Sequence, residues 1–144
     1  MSKNTPATAT WFKPAVWAAL VWNLLGVIAF AMHMMMTPEM IGRLPLDQQA
    51  AYSNVPIWST IAFAIAVLGS TLGCLFLLTK NALATPTFAL SLGAILLQQY
   101  YNFVVINSIE LLCASAVFMP VFVIIIAIAL LYLSIKAKQQ GWLQ

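Results

Sequence analysis

Charge is scarce in this chain. Among 144 residues there are six Lys or Arg and three Asp or Glu, 6% in all, where a soluble domain carries about a quarter. A chain so poorly charged cannot keep a water-facing shell. Histidine occurs once, at His33, which excludes a multi-histidine metal site within one chain. The two cysteines, Cys74 and Cys113, lie far apart with no C-x-x-C, so neither a redox pair nor a zinc knuckle is expected. With Cys74 toward the inner face and Cys113 toward the outer, no disulfide between them is expected either.

The few charges also fall in the wrong places for chemistry inside a membrane. No acid or base lies clearly within an apolar run, and Glu110 sits between two of them. That counts against proton-driven antiport, including the small multidrug type with its glutamate in the first span. It counts equally against intramembrane proteolysis, which needs a Ser/His or paired-Asp set at depth. No catalytic residue and no cofactor is expected.

Apolar side chains are abundant. They make up 63% of the chain and the mean hydropathy is +0.97, so the solvent is expected to be a bilayer. A spanning helix needs roughly 20 apolar residues. Four candidates fit, at about 14–36, 56–79, 86–106 and 115–135. The expected fold is therefore all-α, a four-helix transmembrane bundle in one domain covering 1–144. Pro14, Pro56 and Pro86 open three of the spans and Pro120 lies within the first turns of the fourth, where a missing N–H has no intrahelical partner to lose. Ala29-Phe30-Ala31 has the form of a signal-peptidase site, but the run before it exceeds a typical signal h-region. An uncleaved first span is expected.

Lys3, Lys13, Lys80, Lys136 and Lys138 all flank apolar runs and form no basic stripe, which removes nucleic acid as a partner. They also give the orientation. Five of six basic residues fall on one side, while Arg43, Glu39, Asp47 and Glu110 fall on the other. The positive-inside rule then places both termini in the cytoplasm. Trp11 and Trp58 suit the inner and outer interfaces. The outer loop 37–55 is the one sizeable extramembrane piece, and Leu46 to Tyr52 can form a short helix after Pro45. The sequence around Val55-Pro56-Ile57-Trp58 echoes that around Met119-Pro120-Val121-Phe122, as a parallel repeat of two hairpins would; shared apolar composition gives a similar echo.

Three groups of residues stand out within the spans. Ala62, Ala66, Gly69, Ser70 and Gly73 form a small-residue face on the second span, followed by Cys74, and Ala89 with Gly93 makes a shorter version on the third. Such faces let helix backbones approach closely, within a bundle or between copies. Asn23, Gln98, Gln99 and Asn102, with Tyr100 and Tyr101, are polar groups in apolar runs. They serve either as interhelical hydrogen bonds or as a polar cleft in which amides read hydroxyls and aromatics stack on an apolar face. Finally, Met32, Met34, Met35, Met36, Met40 and Met119 gather near the outer boundary around His33. Thioethers and an imidazole suit Cu(I), and Met32, His33, Met36 and Met119 are the candidate ligands. Methionine is more often a flexible apolar filler, and no bound metal is expected.

The stretches Val21-Trp22-Asn23-Leu24-Leu25-Gly26-Val27, Met36-Thr37-Pro38-Glu39, Val55-Pro56-Ile57-Trp58 and Ala66-Val67-Leu68-Gly69-Ser70-Thr71-Leu72-Gly73 resemble a group of small bacterial four-span inner-membrane proteins. Most of that group is uncharacterised, and some members are loosely labelled "sugar transporter". The resemblance implies a multi-pass protein of the bacterial cytoplasmic membrane and a neutral, sugar-like solute. The methionine run departs from the group. Two functions follow as expectations: transport of a neutral solute, or a non-transporting accessory or assembly subunit of a larger membrane complex. Membrane lipid is the expected surrounding partner, together with further copies of the chain or a larger complex.

Overall fold

Among the described residues, four helices are long and apolar enough to cross a bilayer. The structure is a computed structural model, and it describes residues 7–50, 52–53, 55–105, 107 and 117–144. Helix α1 covers Phe12–Met35, α4 covers Ile57–Leu78, α5 covers Ala84–Tyr100 and α6 covers Phe118–Gln139. Two short helices, α2 (Pro38–Gly42) and α3 (Leu46–Gln49), lie in the connection between the first two spans. A π-helical turn, Tyr101–Val105, extends α5 so that the third span runs from Ala84 to Val105. The chain is a multi-pass membrane protein.

The prolines sit where the backbone tolerates them. Pro14, Pro86 and Pro120 each occupy the third position of their helix, inside the first turn, whose N–H groups have no partner within the helix. Pro56 instead occupies the cap before α4, so Pro56 and Pro120 are not equivalent as the hairpin echo suggests. The fourth helix continues to Gln139, past the expected end near Ile135. The expected start near Ser115 lies outside the described residues, as do Lys3, Glu110 and Cys113.

The packing follows chain order. Helix α4 packs on α1 and on α5, and α5 packs on α6. Helices α1 and α6 do not pack along their lengths; they meet through bulky side chains, Trp22 against Phe122 with ring centroids 5.2 Å apart. Ala62, Ala66, Ser70, Gly73 and Cys74 are buried. A Cβ added to Gly69 would come within 3.2 Å of Ser91, and one added to Gly73 within 2.7 Å of the Phe88 ring. The small-residue face of α4 is thus filled by α5, as close approach in lipid requires. The shorter version on α5 is corrected as a face packed within the bundle: Ala89 and Gly93 are exposed, and a Cβ on Gly93 would meet nothing within 4 Å. The residues that α5 buries are Ala84, Phe88, Ser91, Ala94 and Ile95, which belong to a different helical phase.

One end of the bundle is tied together by main-chain hydrogen bonds. Helix α6 ends in a Schellman turn, with Gly141 at φ 71° and Trp142 N–H donating to the Ala137 carbonyl at 2.9 Å. Helix α4 ends the same way with Lys80 at φ 58° and Asn81 N–H donating to the Phe76 carbonyl at 2.8 Å. The two turns then join: Gln144 N–H donates to the Lys80 carbonyl at 2.7 Å and Ala82 N–H to the Gln144 carbonyl at 2.8 Å. Trp142 is buried edge-on against Phe12 at the start of α1, centroids 5.3 Å apart. Lys13, Lys80, Lys136 and Lys138 therefore share one end of the bundle. Glu39, Arg43 and Asp47 lie at the other, where Arg43 donates to Glu39 at 2.7 Å.

Candidate functional site

The lysine-bearing half is solid. Phe12, Val16, Leu20, Cys74, Leu77, Ala84, Phe88, Leu130, Ala137, Trp142 and Leu143 form its continuous buried core. The opposite half holds a cavity of about 580 Å³ between the helices. On α1 its lining runs from Trp22 and Asn23 to His33. Ten residues separate Asn23 from His33, and at 1.5 Å per residue the cavity is about 15 Å deep, half the hydrocarbon core. It ends near the middle of the membrane, on the packed core.

Five of the six expected cleft residues line this cavity: Asn23, Gln98, Gln99, Tyr101 and Asn102. Tyr100 does not. It is 55% exposed on the outer surface of α5. Helical spacing explains the division: Tyr101 and Asn102 follow Gln98 by three and four residues, whereas Tyr100 follows it by two. The π-helical turn Tyr101–Val105 adds Phe103 to the same wall.

The polar groups are held by hydrogen bonds within and across helices. Ser59 on α4 donates to Gln98 Oε1 at 3.1 Å, and Asn102 Nδ2 donates to Gln99 Oε1 at 3.2 Å. At the cavity floor Asn23 Nδ2 donates to the Ala19 carbonyl at 2.8 Å and to Cys74 Sγ at 3.4 Å. Ser91 Oγ donates to the Ala66 carbonyl at 2.7 Å. Its single proton being used there, Ser91 accepts from the Ser70 hydroxyl. These bonds use only part of the Asn23 and Gln98 amides. The Asn23 carbonyl oxygen accepts from none of these donors, and the Gln98 carboxamide nitrogen donates to none of these acceptors.

Aromatic and apolar surface makes up the rest of the wall. His33 stacks on Tyr52 with centroids 5.3 Å apart and planes 28° apart, and its edge meets Phe63 at 5.9 Å. Trp58 buttresses Tyr101 from behind at 5.3 Å. Among the described residues lining the cavity there is no carboxylate, ammonium or guanidinium group.

The outer methionines divide. Helix α1 ends at Met35, and Met36 is an extended cap residue with ψ 116°, so the helical face expected to carry Met32, His33 and Met36 stops short of Met36. Met32 is 65% exposed and does not line the cavity, whereas His33 and Met119 do. Ser59, Tyr52 and Trp22 also line the cavity and were not expected there. Ser59 and Ser70 lie eleven residues apart, three helical turns on one face of α4, and that spacing is the signal that could have identified Ser59.

No family model, curated protein or solved structure matches the chain.

Proposed function

We propose that the protein binds a small neutral, hydroxyl-bearing solute in the outer half of the bacterial cytoplasmic membrane and passes it across. The observation that supports this reading is the cavity itself. Amides and serine hydroxyls gather on an otherwise aromatic and apolar wall, and among the described lining residues no carboxylate, ammonium or guanidinium stands beside them. The Asn23 carbonyl oxygen and the Gln98 carboxamide nitrogen match alcohol groups, and aromatic rings match the apolar face of a sugar ring. A charged substrate would find no counter-ion among the described lining residues.

The orientation rests on the lysines. Lys13, Lys80, Lys136 and Lys138 share the solid end of the bundle, and the positive-inside rule puts that end in the cytoplasm. The cavity then opens outward, with the tied Lys80–Gln144 end closing the inner path. The resemblance to small inner-membrane proteins labelled for sugar transport points the same way.

Uptake of radiolabelled glucose into proteoliposomes tests the reading. Saturable uptake is expected. Gln98→Leu with Gln99→Leu should lower it about tenfold, the effect of losing two neutral hydrogen bonds. Tyr100→Phe, on the outer surface of α5, should leave it unchanged. If the parent takes up and binds no neutral sugar or polyol, the transport reading falls and an accessory-subunit role replaces it.

A further inference from the structure

The cavity has a side as well as a mouth. Helices α4 and α5 pack closely and close it at the back, but α1 and α6 do not pack along their lengths. Leu25 on α1 and Met119 on α6 both line the cavity, yet they are 57% and 62% exposed. A residue that is at once cavity wall and outer surface marks an edge of an opening. The Trp22–Phe122 contact, centroids 5.2 Å apart, bridges the two helices beside that edge. In a bilayer this opening faces the acyl chains of the outer leaflet, because α1 and α6 are both spanning helices.

From this geometry we infer that the solute is the head of a neutral amphiphile: a hydroxyl-bearing headgroup on an apolar chain, entering from the outer leaflet between α1 and α6. The inference rests on the neutral-solute reading and narrows it. Gln98, Gln99 and Asn102 hold the head through its hydroxyls. The chain leaves past Leu25 and Met119 into lipid, where its methylenes stay in an apolar medium. The composition of the wall agrees. Phe63, Val67, Ile95, Phe103 and Val123 stand on the wall beside the amides, an apolar surface that suits the first methylenes of a chain. Charged phospholipid heads are disfavoured because no cationic side chain among the described lining residues faces a phosphate.

Equilibrium binding in nanodiscs tests the inference with two probes that share one head, radiolabelled glucose and radiolabelled oleyl glucoside. The parent protein should bind oleyl glucoside saturably and at least about tenfold more tightly than glucose. Gln98→Leu with Gln99→Leu should weaken both probes. Leu25→Trp, which narrows the opening without touching the amides, should weaken oleyl glucoside binding by a larger factor than glucose binding. Equal affinity for the two probes, or a Leu25→Trp effect no larger on oleyl glucoside than on glucose, overturns lateral entry while the neutral-solute reading stands. Saturable oleyl glucoside binding that ignores the two glutamines places the lipid elsewhere on the protein and also overturns the inference. Binding of neither probe overturns both readings.

Discussion

The ring of Phe88 lies across Gly73, so close that a Cβ at Gly73 would stand 2.7 Å from its Cε1. Phe88 is itself 2% exposed, which leaves the ring little room to move. Gly73→Ala should therefore lower bundle stability by about 1–3 kcal/mol, the cost of overpacking a filled core. Gly69→Ala, whose Cβ would meet Ser91 at 3.2 Å, should cost less. Gly93→Ala meets open space and should be neutral or stabilising by up to about 1 kcal/mol, since alanine is the better helix former. Unfolding titrations of the three variants in mixed micelles check the order.

That order also shows where the sequence was readable. Four apolar runs of spanning length, each with a proline in or before its first turn, were enough to give the helices and their number. The small face of α4 was readable because five small residues share one phase. The phase of α5 was not, because Ala89 and Gly93 are as small as Ser91 and Ala94, and only the position of α4 decides which pair is buried. The cavity was legible in part. Gln98, Gln99 and Asn102 stand out as amides in an apolar run, and spacing from Gln98 puts Tyr101 on their face and Tyr100 off it, whereas the π-helical turn that adds Phe103 leaves no mark in composition. His33 drew attention through its methionine neighbours, while its ring contacts are with Tyr52, far along the chain, and Phe63.

Lys80 holds a left-handed backbone at φ 58° where glycine is the usual residue, and that conformation costs an L side chain about 1–2 kcal/mol. Lys80→Gly should raise the melting temperature in detergent, since the Schellman turn and the bond from Gln144 use only main-chain atoms. Lys80→Val should lower it. A melting temperature for Lys80→Gly below that of the parent would show that the lysine side chain itself carries stability.

Trp142 closes the lysine-bearing end. It is 5% exposed and packs edge-on against Phe12. Trp142→Ala removes a large buried ring and should cost about 3 kcal/mol. It should also let a small maleimide reach Cys74, which is fully buried in the same core. In a Cys113→Ser background, mass spectrometry of the labelled protein should show adduct on Cys74 in the variant and little in the parent. Equal labelling of both would mean that Trp142 does not seal that end.

The most direct test of an outward, solute-filled cavity is labelling of a single cysteine at Gln99, with Cys74 and Cys113 replaced by alanine, in sealed right-side-out vesicles. Gln99 lines the cavity, whereas Leu130 lies in the solid core below it. Gln99→Cys should react with a membrane-impermeant maleimide added outside, and saturating glucose or oleyl glucoside should slow that reaction. Leu130→Cys should react from neither side, and Lys80→Cys only from within. A Gln99→Cys variant that stays unreactive from outside, or reacts at the same rate with and without both sugars, would contradict the account.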